Sequence, residues 1–220
     1  MTRPSCGIGH PAFDPSLYLV TDPVLCAAGG LAETVAAAIA GGVTMIQYRA
    51  KDRDLRSALA EAATLAELAK QAGVPLIVND RLDIALAVDA DGLHVGQFDM
   101  PPEIARGLLG ADKILGISVS RPAEIETIDP AMVDYVGLGP VFATATKGDA
   151  AAPLGLQQFA KLRQRILLPV VAIGGIGHER ASAVIQAGAD GIAVVSAICG
   201  TADPAAAARQ LKKSILDARP

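Results

Sequence analysis

PVVAIGGIGHERASAVIQAGADGIAVVS, residues 169–196, holds one complete unit of the fold. Its first part, PVVAIG (169–174), and its last, DGIAVVS (190–196), are apolar runs without alternation. Strands covered on both faces read that way, as they do in a parallel sheet. Between them 178–187 follows a helical pattern, and QAGAD (186–190) puts a glycine just past the helix end. Glycine there ends a helix without steric penalty.

The same unit recurs outward to both ends. Strands are expected at 17–21, 43–48, 75–79, 91–95, 113–118 and 134–139, besides 169–174 and 190–196. Helices are expected at 30–40, 54–72, 80–89, 101–109, 121–128, 155–166 and 203–217, besides 178–187. Eight such units with short connections can close a barrel; an open doubly wound sheet shares the alternation. No G-x-x-x-x-G-K-[ST] loop is present and no G-x-G-x-x-G follows the first strand, so the barrel is preferred. The fold class is therefore α/β, a single-domain (β/α)8 TIM barrel with parallel strands over residues 17–220. Residues 1–16 read as an N-terminal extension whose order is left open.

Composition narrows the function. The chain has 220 residues, 51% hydrophobic and 19% charged, enough for one large core. A net charge of −4 and 3% aromatics offer neither a basic field nor stacking platforms, so no nucleic-acid partner is expected. No apolar run is long enough to span a bilayer, and the first fifteen residues lack a secretory apolar block. Three cysteines without metal-ligand spacing suit a cytoplasmic protein with free thiols. A homo-oligomer stays open.

In a parallel barrel the loops after the strands carry chemistry. After the second strand come Gln47, Arg49 and Lys51, whose alternate spacing can direct two cations at one anion. An ordinary basic turn is an equal reading. Asp80 follows the third strand and Asp99 the fourth. Each could cap a helix, but on neighbouring strands the two carboxylates can share Mg²⁺, which takes its other ligands from water and phosphate. A carboxylate pair for acid–base work is the alternative. Residues 139–155 form the longest connection and include Thr144, Thr146 and Lys147, two hydroxyls and a cation suited to phosphate. Gly174 and Gly175 end the seventh strand and Ser196 the eighth, where such barrels often hold phosphate. His94 reads as a hydrogen-bonded core histidine, Ser118 as a helix cap, and Cys199 as a small apolar residue. Two anion grips and a candidate cation pair on one face point to displacement of a diphosphate by a second phosphorylated molecule.

The ordered set QYRAK, NDRLDIALAVDADGLHVGQFDMP, DYVGLGPVFATATK, VVAIGGI and GADGIAVVSAI is similar to the thiamine-phosphate synthases, from about residue 17 to 200. The resemblance implies a transferase of thiamine biosynthesis. It would condense 4-amino-2-methyl-5-(diphosphooxymethyl)pyrimidine with a thiazole phosphate, or its carboxylated form, giving thiamine phosphate and diphosphate. It further implies that Gln47, Tyr48, Arg49, Ala50, Lys51, Asn79, Ser118 and Lys147 bind the pyrimidine diphosphate. Thr144, Ala145, Thr146, Gly175, Val195 and Ser196 would take the thiazole phosphate, and Asp80 and Asp99 would hold Mg²⁺. Arg49, Lys51, Lys147 and Ser118 would be the catalytic groups. The sequence departs from the family pattern at Ala50, where an acidic residue is usual, and at Ser120, where many members have His. That His suits the related thiazole tautomerase, so its absence beside Asp80, Asp99 and Lys147 favours the synthase. A non-catalytic phosphate sensor or a barrel of amino-acid biosynthesis would need no Asp80/Asp99 pair.

Overall fold

The computed structural model describes residues 12–26, 29–49, 51, 53–144, 146 and 151–219. Eight parallel strands close into a barrel in which each pairs with its sequence neighbours and β1 pairs with β8. They are β1 Leu17–Val20, β2 Met45–Tyr48, β3 Leu76–Asn79, β4 Gly92–Val95, β5 Ile114–Val119, β6 Tyr135–Leu138, β7 Val170–Ile173 and β8 Gly191–Val194. The helices between them are α1 Leu31–Ala40, α2 Leu55–Ala72, α3 Leu82–Ala87, α4 Pro102–Leu109, α5 Pro122–Ile125, α6 Gly155–Arg163 and α7 His178–Gln186. After β8 come a short α8, Ser196–Cys199, and then α9, Pro204–Ala218. Each expected strand and helix is present, with ends shifted by a few residues. Only α8 had no place among the expected elements, and it turns Ser196 from a strand end into a helix start.

Alternate strand residues separate two cores. Outward side chains such as Leu17, Leu19, Ile46, Leu93 and Val136 pack against the helices. Inward ones, among them Tyr18, Met45, Ile77, Ile114, Tyr135 and Val171, fill the barrel. Period-two alternation on a closed sheet requires this division.

One device repeats at the strand starts. Thr44, Asp91, Asp134 and Asp190 stand before the four even strands, and each donates its backbone N–H to the preceding odd strand at 2.7–2.9 Å. Each also accepts, on its side-chain oxygen, the N–H of the residue it bonds: Leu17 (3.0 Å), Leu76 (2.8 Å), Leu115 (2.7 Å) and Val170 (2.8 Å). The two bonds close a ring that leaves no room for a register slip. Two of the aspartates carry an arginine as well. Arg106 Nη2 lies 2.6 Å from Asp134 and Arg163 Nη2 2.9 Å from Asp190. Both guanidinium groups also donate to backbone carbonyls, so these largely buried charges are met by several hydrogen bonds as well as by their carboxylates.

The last residues before β1, read as part of the extension, contact the barrel base. Phe13 closes the barrel base, its ring 5.7 Å from that of Tyr135, and the Ser16 carbonyl accepts from Ile192 N–H at 3.0 Å. Arg219 donates to Ser16 Oγ at 2.6 Å, and Lys212 lies 3.5 Å from Asp14. Phe13, Asp14 and Ser16 thus pack on the barrel ahead of β1, and residues 1–11 lie outside the described residues. No described helix is long and apolar enough to cross a membrane.

Replacing Asp134 by alanine leaves Arg106 and the Leu115 N–H without their buried acceptor, a loss on the order of 3 kcal/mol. Urea unfolding of Asp134→Ala should show that loss; a change under about 1 kcal/mol would refute the clamp as a stabilising element.

Candidate active site

At the carboxyl ends of the strands lies a cavity of about 580 Å³. Strand geometry decides which neighbours of β2 reach it. Gln47, Arg49 and Lys51 follow one another at spacing two, and all three line the cavity. Tyr48 faces the other way: its hydroxyl donates to Glu61 on α2 at 2.7 Å, and Arg53 joins the same carboxylate at 3.1 Å. The Tyr48 side chain thus belongs to the strand–helix layer and not to the cavity lining. The Arg49 backbone N–H donates to Thr21 Oγ1 at 3.0 Å, tying the β2 loop to the end of β1.

Asn79, Asp80, Asp99 and Ser118 also line the cavity. Asp80 adopts φ of +60°, a conformation that aspartate tolerates better than most side chains. Its N–H donates to the His94 carbonyl at 2.9 Å. Asp99 is oriented by its own loop, Oδ2 accepting from Gly96 N–H at 2.7 Å. Neither aspartate caps a helix, because the N-cap positions of α3 and α4 are Arg81 and Pro101, neither of them with a side-chain cap. The two carboxyl groups instead face each other. Burial first, and then the nearby Asp99 carboxyl, push Asp80 up to about 6, with Asn79 and Arg49 pulling in the opposite direction. Like charges held this close favour either a shared proton or a bound cation. Among the described residues no group of three or more His, Cys, Asp or Glu could hold a metal. Two carboxylates fit a hard cation that completes its shell with water and phosphate oxygens, which describes Mg²⁺.

Ser118 is not the helix cap it could have been. It lies within β5, its Oγ 2.8 Å from His94 Nε2, and its carbonyl accepts from Gln97 Nε2 at 2.7 Å. His94 is buried and hydrogen-bonded as expected, yet it also forms part of the cavity floor.

On the opposite wall stand Thr144, Thr146, Gly175, Val195 and Ser196. The connection after β6 is fixed at both feet. Val141 and Phe142 donate to Ile173 and Gly174 at 2.8 and 3.0 Å, and Leu154 and Gly155 return to Pro140 and Val141 at 2.8 and 2.9 Å. Gly174 and Gly175 have φ of +102° and +61°. A Cβ on Gly174 would come within 2.5 Å of Pro140, and one on Gly175 within 2.4 Å of the Ala143 carbonyl. Close packing alone therefore requires glycine at both positions. The first N–H groups of α8, at Ser196 and Ala197, precede its first helical bonds and stand at the cavity wall, a disposition that suits an anion. Ala50, Ala145 and Lys147 lie outside the described residues.

The sequence matches the thiamine monophosphate synthase family over residues 17–198. The chain belongs to that family. Family membership makes it a transferase of thiamine biosynthesis. The "Thiamine-phosphate synthase" of Azorhizobium caulinodans is 52% identical over 96% of this chain and 99% of its own length. That of Xanthobacter autotrophicus is 51% identical over 94% and 98%. Among solved structures, thiamine phosphate pyrophosphorylase from Pyrococcus furiosus is 38% identical with a TM-score of 0.85, covering 93% of this chain and 97% of that one. A 3-hexulose-6-phosphate synthase from Salmonella typhimurium, 17% identical at a TM-score of 0.69, shares the barrel alone.

The carboxyl pair makes stability depend on pH in this thiamine monophosphate synthase family member. With Asp80 raised to about 6, its charged form weakens the native state above pH 6, and the effect vanishes below the unfolded value near 4. Asp80→Asn should thus be more stable than the parent by roughly 1 kcal/mol at pH 7.5, discounted for partial solvent exposure, and equal to it at pH 4. A gain that is constant across that range in thermal denaturation would contradict the pairing.

Proposed function

We propose that this chain condenses 4-amino-2-methyl-5-(diphosphooxymethyl)pyrimidine with thiazole phosphate or its carboxylated form, releasing diphosphate and, from the carboxylated form, carbon dioxide. The observation that carries this reading is the meeting in one cavity of an opposed carboxyl pair, the Gln47–Arg49–Lys51 row and the wall of Thr144, Gly175 and Ser196. One substrate with a single phosphate would need only the wall.

Asp80 and Asp99 would hold Mg²⁺, which when bound supplies positive charge to a diphosphate. Arg49 and Lys51 add their charges on the same side, so negative charge arising on the leaving group is met by fixed cations. The bond from the exocyclic methylene to oxygen breaks with its electron pair leaving on the diphosphate. The cation left on the methylene is stabilised by the electron-rich aminopyrimidine. The thiazole nitrogen then forms the new carbon–nitrogen bond. No protein nucleophile takes part, and Ser118 and Gln47 orient the ring. Thr144, Thr146, Val195 and Ser196 would hold the thiazole phosphate, with Lys147 and Ala145, placed by sequence alone, completing the loop. The connection after β6, bonded to the barrel at both feet, would keep from the site the water that would trap the cation.

Purified protein given both substrates should release diphosphate in step with thiamine phosphate in Mg²⁺ and should stop in EDTA. Asp99→Ala should lower turnover by about two orders of magnitude or more. Near-normal turnover in that variant would remove the metal assignment; no release by folded protein would remove the reaction.

A further inference from the structure

Across the cavity floor runs a line of side chains from four other strands to β5. Gln47 Nε2 donates to Tyr18 Oη at 2.9 Å, and Tyr18 Oη lies 2.9 Å from Tyr135 Oη. Tyr135 Oη is 2.9 Å from His94 Nδ1, and His94 Nε2 is 2.8 Å from Ser118 Oγ. We propose that these five residues form one directional hydrogen-bond relay in which Tyr18, Tyr135 and His94 hold the Ser118 hydroxyl as a donor toward the bound ring.

The direction follows from counting hydrogens. An amide nitrogen can only donate, so Tyr18 receives from Gln47; were Tyr18 also to receive from Tyr135, its own buried O–H would have no acceptor in the line, so it passes that hydrogen to Tyr135. Tyr135, having accepted, donates to His94 Nδ1, which fixes the neutral imidazole with its hydrogen on Nε2. That hydrogen goes to Ser118 Oγ, and the serine O–H is left to point at a ligand. The opposite end keeps an acceptor, the Gln47 carbonyl oxygen. An acceptor and a donor from one relay complement a heteroaromatic ring carrying an amine beside a ring nitrogen. The substrate side of this inference rests on the proposed reaction, while the relay itself does not.

Two further observations support it. Burial keeps both tyrosine hydroxyls protonated, their values pushed well above the ordinary range. The strands also make room for the line: a Cβ on Gly116 would come within 2.2 Å of the Tyr135 ring and 2.5 Å of His94 Nδ1, and one on Gly137 within 3.2 Å of the imidazole. Polar groups buried in a barrel interior are costly unless joined in such a chain. Tyr18, Tyr135 and His94 are thus positioning residues.

The test is ¹⁵N NMR of the protein labelled at histidine, of which the chain has three, with the His94 signals assigned by loss in His94→Gln. The parent should show His94 protonated at Nε2 and not at Nδ1. Tyr18→Phe, which removes a hydroxyl that does not touch the imidazole, should mix the two forms as Tyr135→Phe does. Each variant should lose about tenfold in kcat/KM for the pyrimidine diphosphate, and the double variant no more than either alone. A parent protonated at Nδ1, an unaltered His94 spectrum in Tyr18→Phe, or additive losses would overturn the relay. If the parent makes no thiamine phosphate, the proposed reaction fails, and the NMR outcome still decides the relay.

Discussion

The reciprocal bond at the base of the barrel, backbone N–H outward and side-chain oxygen back, is the constraint on which the rest depends. In a closed sheet a slip of one residue would send every inward side chain to the helices. Thr44, Asp91, Asp134 and Asp190 fix the start of each strand pair from below. The upper ends then have no freedom to choose which residues face the cavity. Arg49 faces in and Tyr48 faces out because of hydrogen bonds made at the other end of the barrel.

That rigidity allows the upper rim to carry unfavourable electrostatics. Asp80 sits half-buried against another carboxyl group, in a backbone conformation that costs most residues energy. A loosely held loop would relieve the repulsion by swinging one group into water. Here Asp99 is hydrogen-bonded to its own loop and Asp80 to the backbone of β4, so the repulsion persists until a cation or proton arrives. The stable pole and the strained pole are joined by strands only four to six residues long.

Much of this was legible in the sequence, for a physical reason. Strands buried on both faces have no polar positions to confuse the reading, so runs such as PVVAIG and DGIAVVS announce themselves. Arg49, Lys51, Asp80 and Asp99 stand out because they come as pairs at neighbouring strand ends, where each alone has an ordinary turn or cap reading. The floor of the cavity was harder. Tyr18 and Tyr135 sit within apolar runs and look like core, and His94 looks like core too because its partners lie on other strands. Gly116 and Gly137 were the available sign, since a glycine inside a buried strand marks where another group needs the space. Tyr48 was carried in with its neighbours by family resemblance, and alternation along the strand sends it to the other face. The four-residue helix α8 is too short for periodicity to reveal.

The seam at the base has a bearing on synthesis. β1 pairs with β8 between Leu17 and Ile192, and Ser16 and Asp14 are held by Arg219 and Lys212 from the far end of the chain. The strand pairing cannot form until β8 has left the ribosome, nor the two side-chain contacts until α9 has followed. Until then β1 is an open edge, and the interior that Phe13 will seal stands exposed to water. Successive strand–helix units can assemble as they emerge, through contacts close in sequence, but closure joins the two most distant parts of the chain. Closure of the sheet therefore waits on β8, however early the first strand–helix units pair.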